Sequence, residues 1–462
     1  MHPKRQATVH QQQRVGRQAS NSDSYTFFNL LTSPELLESV ESLLPDHRER
    51  LFPPTETLSM FLAQALSADR SCQNAVDEAA VKRVVGGLPA CSTHTGAYCR
   101  ARKRLPVEMV STLSRRTGRL MSDRIPPAWK WQGRPVRLVD GTTVSMPDTA
   151  SNQATYPQPP SQNPGLGFPL CRLVGIICLS SGAVLNAAIG QYQGKGSGEQ
   201  TLFRSMLDTL NAGDVLLGDA YYATYFLLCE LQRRGVDAVF EQYGARRRST
   251  DFRRGKRLGE RDHLIELQKP KKRPAWMLQE HYEQAPATLK VRELHAGGKI
   301  LVTTLHCPKQ TPKAALRDLY KSRWHVELDL RNLKTTLGLE MLSCKTPAMV
   351  IKELWVYLLA HNLIRLIMAQ AALLADRLPR ELSFKHTLQL WMAWRRRGSY
   401  TGSDEKLAVL LVLIAQQKVG NRPRRIEPRA IKRRPKPYPP LAKPRHSARD
   451  DVKKNGHPPK HK

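Results

Sequence analysis

The segment Asp214-Val215-Leu216-Leu217-Gly218-Asp219 sets a short apolar run between two acids. So short a run with no polar alternation is the pattern of a strand buried on both faces. Upstream, Val136-Arg137-Leu138-Val139-Asp140 has the same form, and it too closes on an aspartate. Working outward, Leu170 to Leu179 and Ala183 to Gln191 read as two strands of a hairpin turning at Ser181-Gly182. Glu199 to Leu210 and Tyr222 to Arg234 read as helices, and Val236 to Glu241 as a further strand. The order is three strands, helix, strand, helix, strand. It predicts an α/β fold in which a mixed sheet is flanked by helices.

On either side of this frame the grammar changes. Residues 1–25 are polar, rich in Gln, Arg and Ser, and read as a disordered basic arm. Residues 26–125 read as an N-terminal helical domain, with Pro34-Glu35-Leu36-Leu37 after a Ser33 cap, then Leu58 to Ala65 and Ala75 to Val84. Within it, Ser92 to Arg104 reads as a helix whose Arg100, Arg102, Lys103 and Arg104 are residue types that contact DNA. An ordinary basic surface helix has the same composition. Residues 242–312 are basic and strand-like, with a hairpin through Ala296-Gly297-Gly298, and read as an all-β insertion. Helices resume over Lys313 to Leu337 and Met349 to Leu374, which return the chain to the main fold, so that this fold takes residues 130–241 and 313–376. Leu382 to Arg396 and Lys406 to Gln417 give a C-terminal helical segment, 377–420, suited to dimerisation. Residues 421–462 are rich in Pro, Arg and Lys and read as an extended, disordered basic tail.

The chain has 462 residues, with 73 Lys and Arg against 40 Asp and Glu and a formal net charge of +33. That excess self-repels unless a polyanion neutralises it, so nucleic acid is the first partner to expect. A membrane partner is not expected. Val350 to Ala375 is rich in Leu and Ile but is interrupted by Lys352, Glu353, His361, Asn362 and Arg365, a buried-helix pattern. Leu407 to Ala415 is far shorter than the roughly 20 residues that span a bilayer. The first 25 residues hold no apolar core of a secretory signal, and the eight cysteines form no CxxC pair. The expectation is a cytoplasmic protein with reduced thiols.

Phosphodiester transfer needs an activated oxygen nucleophile and relief of charge on the leaving oxygen, which two divalent ions about 4 Å apart can supply. Three carboxylates form an adequate set of hard oxygen ligands for Mg²⁺. Asp140 and Asp219 end strands that can be neighbours, and Glu327 follows on a later helix. At about 100° per residue, Arg323 and Arg331 lie about 40° to either side of Glu327, with Tyr320 and Lys334 about 20° away. A solvated face with Arg323–Glu327 and Glu327–Arg331 pairs fits the same spacing. Asp148 in place of Asp140, or Asp214 in place of Asp219, offends no periodicity.

The spacing Tyr320-x2-Arg323-x3-Glu327-x6-Lys334 resembles the Y-R-E-K signature of bacterial insertion-sequence transposases of the DDE class, the IS-four type. Asp140-Gly141-Thr142 resembles the first acidic motif of that family, and Gly218-Asp219-Ala220-Tyr221-Tyr222 its second. The resemblance runs from roughly residue 135 to 370. It implies a ribonuclease-H-like mixed sheet flanked by helices, catalysis and metal binding by Asp140, Asp219 and Glu327, and two Mg²⁺ or Mn²⁺ ions. It also implies a homodimer on paired transposon ends, acting on double-stranded DNA as both end and target. Arg323 and Lys334 would lie on phosphates near the cut, joined by the neighbouring Arg331, and Tyr320 at the phosphate of a flipped base. In some relatives a Trp of the insertion stacks on that base, and Trp276 is the one Trp between residues 242 and 312. Two other readings stand beside this one: a ribonuclease-H-like endonuclease without strand transfer, and a transposase-derived DNA-binding protein that has lost catalysis.

Overall fold

The computed structural model describes residue 43, residues 51–396 apart from 86, 88 and 195, and then residues 404–420 and 441–457. The arm expected over residues 1–25, the helix expected after Ser33 and the run 421–440 lie outside the described residues. The N-terminal part is helical: α1 Pro54–Leu66, α2 Cys72–Val85, α3 Gly96–Arg104 and α4 Val107–Asp123. Pro54 opens α1 at a position where a missing N–H costs nothing.

The sheet follows. Its strands are β1 Val136–Ser145, β2 Leu170–Cys178, β3 Val184–Gln191, β4 Val215–Gly218 and β5 Asp237–Glu241. Helix α5, Ala150–Thr155, lies between β1 and β2; α6, Glu199–Arg204, precedes β4; α7, Tyr225–Arg233, precedes β5. β1 pairs antiparallel with β2 and β2 with β3, whereas β1–β4 and β4–β5 are parallel. This mixed order, β3-β2-β1-β4-β5, is the ribonuclease-H-like arrangement.

The segment 242–312 contains α8 Gly244–Ser249, β6 Lys256–Gly259, β7 Asp262–Gln268, α9 Gln279–Gln284, β8 Thr288–Ala296 and β9 Lys299–Thr303. The segment is therefore not all-β: α8 precedes its strands and α9 lies between β7 and β8. The strands also join the main sheet, because β9 pairs antiparallel with β5 and the nine-stranded order ends β5-β9-β8-β7-β6. After it come α10 Lys313–Lys321, α11 Trp324–Arg331, a π turn at Asn332–Thr336, α12 Pro347–Leu374, α13 Phe384–Arg396, α14 Asp404–Gln416 and α15 Arg445–Asn455.

Around β1, β4 and β5 both faces of the sheet are apolar, so these strands are buried between two helical layers. Val136 and Leu138 of β1, with Val215 and Leu217 of β4, face a core that also holds Phe61, Met109, Leu319, Val326 and most of α12. Val139, Leu216 and Phe240 face the opposite core, beneath Phe203, Phe226 and Leu231. Helix α12, at 28 residues, is long and apolar enough to cross a membrane, but the window that meets that test is 89% buried within the protein. Several of its polar residues have internal partners. Asn362 accepts from the Val184 N–H at 2.8 Å and donates to the Ser114 and Val184 carbonyls at 2.9 and 2.8 Å.

The tail corrects the extended reading of residues 421–462. Residues 445–455 form α15, and Arg445 fastens it to the β1–β2 loop, 2.9 Å from Asp148 and 4.0 Å above the Phe168 ring. Pro444 precedes that helix as its N-cap, so a Pro-rich approach stops short of the helix rather than excluding it.

Candidate active site

Leu138 of β1 lies opposite Leu217 of β4. Two residues further along these parallel chains come Asp140 and Asp219, on the same face as Leu138 and Leu217 by strand alternation. Each aspartate is held by a backbone N–H just beyond it: Asp140 Oδ1 accepts from Gly141 at 2.8 Å, and Asp219 Oδ1 from Tyr221 at 2.8 Å. The two alternative acids are engaged elsewhere. Asp214 sits at the other end of β4, 1% exposed, with Arg137 Nε 3.0 Å from its carboxylate. Asp148 lies beyond the end of β1 and pairs with Arg445.

Glu327 arrives from α11. The single helix expected over residues 313–337 is broken, because the Ser322 and Arg323 N–H groups bond three residues back, to Leu319 and Tyr320. Such tight bonds re-aim the chain between α10 and α11, so a constant angle per residue does not relate Tyr320 to Glu327. The side chains nonetheless converge. Tyr320 donates from its hydroxyl to the Gly218 carbonyl at 3.4 Å, next to Asp219. Arg323 lies 2.8 Å from Glu327 Oε1 and 3.7 Å from Asp140 Oδ2, so one guanidinium serves both acids. Arg331 is exposed and Lys334 half-buried in the π turn. Fully buried Asp329 fixes α11, paired with Arg365 of α12 and with Arg380 at 2.7 Å, while Arg380 also donates to the Leu179 carbonyl at 2.7 Å.

The site carries excess negative charge in poor contact with water. Burial pushes the Asp140 carboxyl up to about 6; the Gly141 N–H and Arg323 pull it down, and Asp219 and Glu199 push it further up. Glu199, at the start of α6, is a fourth carboxylate that the sequence reading passed over. Its own carboxyl is raised by burial and by Asp219 against the pull of Arg172. A Cβ on Gly141 would stand 2.6 Å from Glu199 Cδ, so glycine after Asp140 is what admits it. The signal available in sequence was an acid at a helix start, and nothing local pairs that start with β1.

These donors are all carboxylate oxygens, which suit a hard divalent cation. Among the described residues no three His, Cys, Asp or Glu side chains stand close enough to hold one ion. The Glu327 carboxylate is instead paired with the Arg323 guanidinium.

The remaining expected residues are scattered. Trp276 does not join the acids; it packs against α6 and α7, with Arg204 3.8 Å over its ring and Phe226 edge-on at 6.5 Å. Arg100, Lys103 and Arg104 are exposed on α3. Arg102 is a correction: it is 8% exposed, stacked on Phe61 and Tyr98 at 4.8 and 5.0 Å, with Cys72 Sγ at 3.0 Å. It follows Tyr98 by one helical turn and so shares the buried face of α3.

Comparison with known proteins bears on this geometry. The chain is 29% identical over 353 residues to transposase InsG for insertion sequence element IS4 of Escherichia coli, covering 74% of this chain and 77% of that relative. It also aligns, at a TM-score of 0.42 and 9% identity over 86% of each chain, with a piggyBac transposase synaptic complex with hairpin DNA. Residues 131–363, which span β1, β4 and α11, match the family described as Transposase DDE domain, and the chain belongs to that family.

Proposed function

We propose that the chain is the transposase of a bacterial insertion sequence, acting in the cytoplasm at the nucleoid. As a homodimer it binds the terminal inverted repeats of its element, cleaves the ends and joins them to target DNA. The observation that carries this reading is the shared guanidinium of Arg323, which links Asp140 to Glu327 beside Asp219. Two acids bridged by one exchangeable cation, with a third just after the neighbouring strand, suit a phosphate-transfer site before its substrate arrives.

In this reading Asp140, Asp219 and Glu327 hold two Mg²⁺ or Mn²⁺ ions. When bound, such ions activate the attacking oxygen and take up charge on the leaving oxygen. The chain's own residues do the rest. Arg323 exchanges Glu327 for a DNA phosphate, which frees the Glu327 carboxylate for its ligand role. Lys334 and Arg331 clamp phosphates beside the cut, since charge-assisted bonds to phosphate are strong. Tyr320 places its hydroxyl at the phosphate of an unstacked nucleotide, with Trp276 to receive the base once Arg204 vacates its face. Arg100, Lys103 and Arg104 of α3 contact flanking duplex.

Joining separates this reading from an endonuclease. Purified protein incubated in Mg²⁺ with a duplex carrying the element's terminal repeat and a supercoiled plasmid should yield covalent end-to-plasmid products. Cleaved ends that accumulate without any joined product would support the endonuclease.

A further inference from the structure

The segment from Gly244 to Arg261 has a feature the catalytic site does not use. Its inner side is fixed by a buried polar cluster. Glu293 of β8, fully buried, accepts from Gln242, from Arg246 at 3.0 Å, and faces His263 Nε2 at 3.0 Å. The other His263 nitrogen lies 2.6 Å from the Arg254 carbonyl, and the Phe252 ring packs 4.9 Å from the His263 ring. Gly255 completes the fastening, with φ +72° and a backbone so close that a Cβ would meet the Leu264 carbonyl oxygen at 2.1 Å. Opening this arm would take Arg246 away from the buried Glu293 carboxylate and the Arg254 carbonyl away from His263, which holds the arm in place.

The outer side is cationic. Arg248, Arg253, Arg254, Lys256, Arg257 and Arg261 are all exposed, and the Arg253 and Arg254 side chains are 91% and 84% accessible. Asp251 engages Arg253 and, at 3.8 Å, Arg254. Among the described residues, Arg248, Lys256, Arg257 and Arg261 have no carboxylate within ion-pair distance. A rigidly held row of cations with so little internal compensation is a surface for a polyanion, and guanidinium groups suit phosphate in particular. The arm ends in β6, five strand spacings from β4, or about 24 Å at roughly 4.8 Å per strand. A duplex lying across the strands from the cut would cover that distance in about 7 base pairs at 3.4 Å each.

We infer that the arm Gly244–Arg261 is a second duplex-binding surface, which grips the phosphate backbone of DNA several base pairs from the reacting phosphodiester. The inference rests on the reading of the chain as a transposase. It adds a site that neither the acid cluster nor α3 supplies, and its ligand is the shared chemistry of transposon end and target, the phosphate backbone.

The test uses the full chain with Arg254→Gln, Lys256→Gln and Arg257→Gln combined, and a second variant with Glu at the same three positions. Fluorescence anisotropy would follow binding to two duplexes, one with the element's terminal repeat and one of unrelated sequence, across a range of salt. Each phosphate that the variant no longer neutralises lowers the slope of log affinity against log salt by about 0.9, so a drop of about 2 to 3 is expected. A drop on the terminal-repeat duplex alone assigns the arm to the transposon end; a drop on both assigns it to any duplex, target included. Unchanged slopes on both, in variants whose circular dichroism and thermal unfolding match the parent, would overturn the inference and leave the transposase reading standing. A parent protein that binds neither duplex would overturn both.

Discussion

Asp140 carries a charge that its surroundings resist. Its folded pKa of about 6 lies above the ordinary 3.8, so the folded state binds this proton more tightly than the unfolded state does. The resulting stabilisation is complete below about pH 4 and is lost as pH rises through 6. At pH 7.5 the ionised group therefore costs on the order of 3 kcal/mol, at 1.36 kcal/mol per unit. Asp140→Asn keeps the acceptor for the Gly141 N–H and removes the charge. It should raise stability by about 1–3 kcal/mol at pH 7.5 and change it little at pH 4, read from urea midpoints at the two values. An equal shift at both pH values would show that burial of the charge is not the cause. Residue scale is also where sequence reading failed most visibly. Arg102 and Arg100 are indistinguishable by type, yet one lies under Phe61 and Tyr98 and the other in water, and only the packing of α1 against α3 separates them.

At the scale of elements, α11 is aimed by one buried acid. Burial alone would push Asp329 up, but Arg380 and Arg365 outweigh it and hold it below the ordinary carboxylate range. Its contribution is thus present above about pH 4 and lost as pH falls further. Asp329→Asn would leave two buried guanidinium groups without their counter-charge and should cost roughly 3–5 kcal/mol. It should also slow cleavage, because Glu327 lies two residues away on the same helix. Equilibrium unfolding at neutral pH checks the first part, and a midpoint equal to that of the parent would contradict it. The strands β1 to β5 were legible because their segments are mostly apolar and bounded by turns. The break between α10 and α11 was not, since it follows from how Tyr320 and Val326 seat on the sheet and leaves no mark in composition. The union of β9 with β5 was equally hidden, because a pairing between residues about sixty apart is not encoded in either strand alone.

Across the whole molecule, a net charge of +33 surrounds a small acidic centre. The excess is distributed over separate surfaces: α3, the arm Gly244–Arg261, and a tail whose α15 is fastened to the loop after β1 through Arg445 and Asp148. Charge alone pointed to a polyanion, whereas the placement of that charge required the fold, and the tail's docking contradicts the extended reading its prolines suggested. The acids could be named from sequence because their two short motifs and the Tyr320-to-Lys334 spacing resemble a known signature, although β1 runs on past Asp140 to Ser145 instead of ending there as its apolar run suggested; Glu199 could not, because its relation to Gly141 is purely spatial. The central claim is that Asp140, Asp219 and Glu327 act on DNA through divalent ions. It is tested most directly by assaying Asp140→Ala, Asp219→Ala and Glu327→Ala for cleavage of a terminal-repeat duplex in Mg²⁺, alongside their affinity for it. Metal ligands serve the transition state more than ground-state binding, so each variant should bind the duplex within a few-fold of the parent and produce no cut strand. Cleavage by the Glu327→Ala protein at a rate near that of the parent would contradict the account.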